Sequence, residues 1–293
     1  MNDLMKKLKR KLIFINGPAR GTRDPIIPST SNDIEMLLEG QNLPHEFSHL
    51  APDLFRDYDK NTNVLIKANL NSALPYPASV SMDMLETLFL ALLERGVRHI
   101  TVADCSGITH LPTSEVIKTK NLKIMENSCL KLSSFDYGKW FMVPIEGKYF
   151  KYILLPEKAF RADRIINLSN LKAHRLAGFS ASIKNLVGFM HPMQRIELHR
   201  DHLAERIAEI PLAIVPDINI IDAREIFIDG GPDIGTVCTA DTIIINSNLY
   251  EADKTAYELL IRKKSENNIN DLPENYIDNP IFKHYCRMCG GDS

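Results

Sequence analysis

Residues 63–103 read NVLIKANLNSALPYPASVSMDMLETLFLALLERGVRHITVA, and this stretch decides the fold class. Val64-Leu65-Ile66-Lys67 is a short apolar run of strand length, followed by the polar, proline-marked segment Asn69 to Pro77. Ser79 or Ser81 can cap a helix with Asp83 in its first turn and an apolar stripe of Leu85, Leu88, Phe89 and Leu92. Arg95-Gly96 ends that helix, and His99-Ile100-Thr101-Val102-Ala103 resumes a strand. A strand, a crossover helix and a strand within about forty residues make a right-handed unit with parallel strands the economical topology. The expected fold is therefore α/β, a parallel or mixed sheet flanked by helices, with room for a second, smaller α/β lobe.

Working outward, the pattern continues. A loop from Asp104 to His110 precedes a helix that starts at Pro112, and Leu122 to Met125 reads as a strand. Apolar segments between Trp140 and Leu155 flank Glu146-Gly147-Lys148 as a hairpin, and Arg164 to Leu168 is a further strand. Gly178 to Gly188 and Leu198 to Ile210 read as helices, Ile218 to Ile221 and Thr242 to Ile245 as strands, and Glu251 to Arg262 as a helix. This divides the chain into an N-terminal arm and irregular segment (1–60), an α/β core (61–264) and an irregular, Asn- and Pro-rich tail (265–293).

Composition narrows the function classes. The 293 residues are 44% hydrophobic and 25% charged, enough apolar material for a large core. No run reaches the roughly 20 apolar residues that a bilayer crossing requires. Lys+Arg of 35 against Asp+Glu of 37 leaves a net charge of −2, so no global field draws the chain to nucleic acid. The basic stretch Lys6 to Lys11 lacks interleaved aromatic residues and reads as a solvated arm, and only four apolar residues follow it, too few for a secretory segment. Five cysteines suit a reduced, cytoplasmic setting. Homo-oligomerisation is left open.

Ligands in open α/β sheets collect beyond the carboxyl ends of parallel strands. Three segments there carry hydrogen-bonding or titratable groups: Asn69 to Ser72, Asp104 to His110 with Ser106 between them, and Ser169 to Arg175, all read as loops. His110 and His174 are candidates for general acid and base, because imidazole titrates near neutrality. On the following helix, Phe179, Ile183, Leu186, Val187 and Met190 form a core face, while Ala177, Ala181 and Gly188 surround Lys184 with small side chains. A partly desolvated lysine there can act as a nucleophile, or the stripe can be a tight helix contact with the amine reaching outward. If the strands adjoin, His110, His174 and Lys184 share one cleft with Asn69 and Asp104.

Weaker signals complete the search. His199 and His202, spaced i, i+3 on an expected helix, suggest a metal site, although surrounding charges also suit a solvated face. Gly230-Gly231-Pro232 through Gly235 can form a backbone nest for an anion or a plain turn. Cys286-x-x-Cys289 supplies two thiols, half of a zinc or iron-sulfur ligand set.

Several segments carry a family resemblance: Ile66 to Leu70, Ala103 to Gly107, Ala162 to His174, Ser182 to Gly188, and Gly230-Gly231-Pro232 with Gly235. Together they resemble the prokaryotic family termed domain of unknown function 362. That family is often linked to iron-sulfur clusters through an additional ferredoxin-like segment, which this chain is expected to lack apart from Cys286 and Cys289. More distantly, His174 to Ser180 with Lys184, and Gly107 to His110 with Pro112, Thr113 and Glu115, are similar to segments of the nickel-pincer lactate racemases. That resemblance implies proton transfer by His110 and His174, a pyridinium-derived cofactor anchored on Lys184, and His199 as a metal ligand. Two departures argue against lactate itself: Ala181-Ser182 stand near where those enzymes have a glycine pair, and Asn69 to Pro77 contains neither acid nor arginine.

The expectation is thus an enzyme of isomerase or oxidoreductase type acting on a small anionic molecule, with Lys184, Asn69, Asp104, Ser106 and Gly231 binding substrate or cofactor. The alternative is an iron-sulfur-associated electron-transfer or assembly protein.

Overall fold

A computed structural model of the chain describes residues 22–28, 34–40, 47 and 53–288. Its strands and helices are, in order, β1 (Glu35–Glu39), β2 (Asn63–Ala68), α1 (Met82–Glu94), β3 (His99–Asp104), α2 (Thr113–Thr119), β4 (Leu130–Ser134), β5 (Trp140–Pro144), β6 (Tyr152–Pro156), α3 (Glu157–Arg161), β7 (Arg164–His174), β8 (Gly178–Ser180), α4 (Ser182–Asn185), α5 (Pro192–Leu198), α6 (Leu203–Ala208), β9 (Ile218–Phe227), β10 (Val237–Asn246), α7 (Leu249–Glu266) and α8 (Pro280–Met288). Eight strands form one mixed sheet in the order β1-β10-β9-β7-β2-β3-β4, with β8 paired to β7. The five strands from β9 to β4 run parallel, while β10 and β1 add antiparallel edges. The fold is α/β, as the β2-α1-β3 unit requires. β5 and β6 pair separately as an antiparallel hairpin that packs into the main core rather than building a second lobe.

Two apolar layers sandwich the sheet. Val64 and Ile66 face the layer containing α1, whose Met84, Leu85, Leu88, Phe89 and Leu92 are buried. Alternation sends Leu65 to the opposite layer, and Lys67 follows it there because side chains two apart on a strand share a face. At the level of Lys67 the register runs straight across to Asn167, Asn219 and Asn246, four polar residues buried in one row. That row is the first departure from an all-apolar sheet interior, and it marks where the site begins.

Several boundaries differ from the sequence reading. Leu122–Met125 is a 3-10 turn, and the strand lies later, at β4. Ser169 to His174 continues β7 rather than forming a loop. The expected helix from Gly178 splits into β8, the short α4 and a 3-10 turn over Leu186–Phe189, because Gly178 at φ +79° turns the chain back onto β7. The helix from Leu198 is interrupted: α5 ends at His199, and His202 at φ +49° starts α6, so the two imidazoles do not share a helical face. β1, within the expected arm, supplies an edge strand. The expected irregular tail carries α8, whose Ile281 and Phe282 enter the core and whose His284 meets buried Glu209 at 3.2 Å. The Lys6–Lys11 arm and Cys289 lie outside the described residues. Among the described residues no helix is long and apolar enough to cross a membrane.

Candidate functional site

β2 connects to β3 on one side, and β7 connects to β9 on the other, so the crossover direction reverses between β2 and β7. Such a reversal splays the strand-end loops and opens a crevice at the carboxyl ends. A cavity of about 530 Å³ lies there, lined by Lys67, Asn69, Asp104, His110, Lys172, His174, Lys184, Arg195, His199 and Asp233 among others. It brings together five of the residues singled out from sequence: Asn69, Asp104, His110, His174 and Lys184. Ser106 and Gly231 are not among its walls. The Ser106 hydroxyl donates to the Leu111 carbonyl and its N–H to Thr113 Oγ1 at 2.8 Å, which shapes the loop instead. Gly231 is pressed against β7, where a Cβ would lie 1.9 Å from the Ala173 carbonyl oxygen, and this close approach sets the following Asp233 at the cavity.

β7 outruns β2, whose last partner is Leu168, and its last residues, paired to β8 and β9, line the cavity. Period-two alternation puts Leu171 and Ala173 into the core and Lys172 and His174 on the opposite face, where they line the site. The His174 Nδ1 accepts from the backbone N–H groups of Leu176 and Ala177 at 3.2 and 3.1 Å, closing the turn into β8. That assigns the ring proton to Nε2. Burial, with Lys184 and Lys172 nearby, pushes His174 down to about 2, so it is a neutral hydrogen-bond donor.

His110 is held differently. Its Nε2 lies 2.8 Å from Asp233 Oδ2, and that hydrogen bond holds the Asp233 carboxyl below its usual range. With Nε2–H donating to the carboxylate, Nδ1 carries the lone pair, and it has no protein partner among the described residues. Nδ1 packs against Gly107, where a Cβ would come within 2.1 Å of it. An imidazole with one nitrogen oriented by a carboxylate and the other unprotonated has the electronic set-up of a general base. In this conformation Nδ1 itself is buried against the turn.

Beyond Lys184, the cations around it are a feature that sequence reading missed. Lys67 is 1% exposed, pairs with Asp104 Oδ1 at 2.8 Å, and donates to Asn185 Oδ1 at 3.2 Å. Asp104 also accepts from the N–H groups of Leu70 and Cys105, both at 2.7 Å, so it ties together the loops after β2 and β3. Gly188 makes room for the pair, since a Cβ there would sit 2.1 Å from Asp104 Oδ1. Lys172 donates to the Ala78 carbonyl at 2.5 Å, and burial with Lys184 nearby pushes its amine down to about 7. Arg195 donates from one Nη to the carbonyls of Cys105 and Ser106 at 2.8 and 3.0 Å, while its buried Nε has no protein partner among the described residues. Lys184 has no hydrogen-bond acceptor among the described residues; burial and the Arg195 guanidinium push it down to about 8. The carrier helix α4 is pinned by Asp253 of α7, which accepts from the N–H groups of Ser182 and Ile183 at 2.6 and 3.0 Å.

The metal expectations fare as follows. His199 lines the cavity, its Nδ1 donating to the Arg195 carbonyl at 2.6 Å and leaving Nε2 with the lone pair. His202 instead stacks on Tyr149 with ring centroids 4.8 Å apart. Cys286 approaches the Tyr250 hydroxyl at 3.2 Å and does not line the cavity. Among the described residues no group of three or more His, Cys, Asp or Glu side chains is placed to hold a metal ion.

Comparisons with known proteins came out as follows. A thylakoid-associated protein of Synechocystis is 25% identical over 117 residues, which cover 38% of this chain and 36% of that relative. The matched part is thus little more than a third of the relative's length. A crystal structure of a protein from Thermotoga maritima superposes with a TM-score of 0.45 at 16% identity, covering 77% of this chain and 60% of that one. The family model described as Domain of unknown function (DUF362) matches residues 64–258, from the start of β2 into α7, and the chain belongs to that family.

Proposed function

We propose that the cavity binds a small anionic molecule and that the protein is an enzyme of isomerase or oxidoreductase type, with His110 transferring the proton. The observation that carries this reading is the His110–Asp233 pair facing the same cavity as Lys172, Lys184 and Arg195. In this scheme His110, oriented by Asp233, removes or returns a proton. The roles of the two histidines separate. His174, fixed as an Nε2–H donor, stabilises developing negative charge on the substrate instead of moving a proton, which modifies the acid-base role expected of it. Lys184 and Arg195 neutralise the anion. Asn69, donating to Asn170 Oδ1 at 2.8 Å and to the Ala78 carbonyl at 3.3 Å, fixes the loop beneath it.

The test is solvent exchange. Incubating the full chain in D₂O with a panel of small hydroxy and keto acids, and following their carbon-bound protons by NMR, should reveal exchange at the carbon next to the carboxylate. His110→Gln should lower that rate by about 10²–10⁴-fold. Asp233→Asn, a positioning change, should leave residual exchange with a displaced pH profile. No exchange with any acid, or a His110→Gln rate equal to wild type, would refute proton transfer.

A further inference from the structure

Five basic side chains line the cavity, Lys67, Lys172, Arg175, Lys184 and Arg195, against two carboxylates, Asp104 and Asp233. Both carboxylates are already engaged, Asp104 by Lys67 and Asp233 by His110, each at 2.8 Å. Among the described residues, Lys172, Lys184 and Arg195 have no carboxylate within ion-pair distance. Concentrating three cationic side chains without counter-charge around one enclosed space is costly unless something anionic enters or the amines shed their protons. Arg195 cannot relieve the crowding, because a guanidinium stays charged at ordinary pH, and Lys67, although burial pushes its amine down, already has Asp104 as its counter-charge. The relief falls to Lys172 and Lys184.

We infer, resting on the anion-binding reading above, that the ligand of this pocket is a doubly charged small anion, and that its entry drives proton uptake by Lys172 and Lys184. A monoanion matches Arg195 alone and leaves the two amines uncharged. A dianion, whether a phosphate or a dicarboxylate, brings a second charge into a low-dielectric space where an ammonium partner outweighs a neutral amine. The groups facing Lys172 are the Ala78 carbonyl from the loop after β2, Lys184 from α4, Asp233 from the turn before β10, and His174 on its own strand. Those facing Lys184 are Arg195 of α5, Lys67 of β2, Asp233, and the rings of His174 and His199. Asp233 alone among them is negative, and it is shared with His110. In the free protein the two amines titrate about 7 and 8, so both are substantially protonated at pH 6 and largely neutral above pH 8. Uptake on binding therefore grows from pH 6 to pH 8.5 and has the sign of buffer deprotonation.

Isothermal titration of the full chain with malonate, inorganic phosphate, acetate and lactate tests this, each run in Tris and in HEPES at pH 8. At least one of the dianions should bind about tenfold or more tightly than acetate and lactate, as an added buried charge pair implies. Its heat should differ between the two buffers by an amount corresponding to uptake of about one proton, and the difference should shrink at pH 6. Malonate against phosphate distinguishes a dicarboxylate from a phosphate site. Lys172→Met, checked for folding by circular dichroism, should keep measurable binding and lose most of the uptake. Equal affinity for acetate and malonate, or buffer-independent heats for a bound dianion, would overturn the inference while leaving an anion site standing. Absence of binding by all four would instead remove the anion-binding reading on which it rests.

Discussion

Lys67→Met is expected to lower the unfolding free energy by about 3–5 kcal/mol, the usual cost of stripping one partner from a buried ion pair. Among the described residues the Lys67 amine is the sole cation in ion-pair contact with Asp104, and Gly188 and the Asn185 side chain close over the pair. Met matches the lysine stem in bulk, so the loss measures charge rather than a cavity. The orphaned carboxylate retains its two backbone donors from Leu70 and Cys105, which keeps the loops after β2 and β3 joined. Urea unfolding of the variant against wild type checks this. A deficit below about 1 kcal/mol would mean that Asp104 is adequately solvated by its backbone donors alone.

Glu209→Ala should be comparably severe and act at a distance from the cavity. The Glu209 carboxylate is fully buried and accepts backbone N–H bonds from Lys148 (2.7 Å), Tyr149 (3.0 Å) and Phe150 (2.8 Å), with His284 Nε2 at 3.2 Å. Removing it strands the buried Phe150 N–H and two part-buried donors, Lys148 and Tyr149, in the β5–β6 connection and unties α8. Each orphaned donor costs about 1–3 kcal/mol, partly recovered by water entry, so a total near 4 kcal/mol is expected. Glu209→Gln should recover part of this by retaining one acceptor oxygen. Amide exchange localises the effect: protection should fall at residues 148–150 and along α8 before it falls in β2 or β7. Uniform loss across the sheet would contradict this placement.

How much of this was legible in the sequence depends on whether the signal was local. The β2-α1-β3 unit could be read because its strands and the Leu85–Leu92 stripe repeat with their own periods. The same strand-end rule placed Asn69, Asp104, His110, His174 and Lys184 around one cleft, where all five lie. The extension of β7 was harder, since Asn170, Lys172 and His174 resemble loop residues. They alternate with Ser169, Leu171 and Ala173, and that period of two was the available clue to a continuing strand. Lys67 hid at the end of an apolar run, its partner Asp104 a strand away. Arg195 and Asp233 reach the site through α5 and the turn before β10, long-range placements that no spacing encodes. The difference between the two histidines was equally invisible, because it depends on backbone donors at His174 and a distant carboxylate at His110.

Everything functional in this picture depends on the Lys184 amine standing in an enclosed, electropositive cavity that accepts anions. Heteronuclear NMR of its side chain, assigned by comparison with Lys184→Met, measures this directly. Titration about pH 8, moving upward when malonate or phosphate is added, is the expected result. Titration at the ordinary lysine value near 10.4, indifferent to either anion, would contradict it.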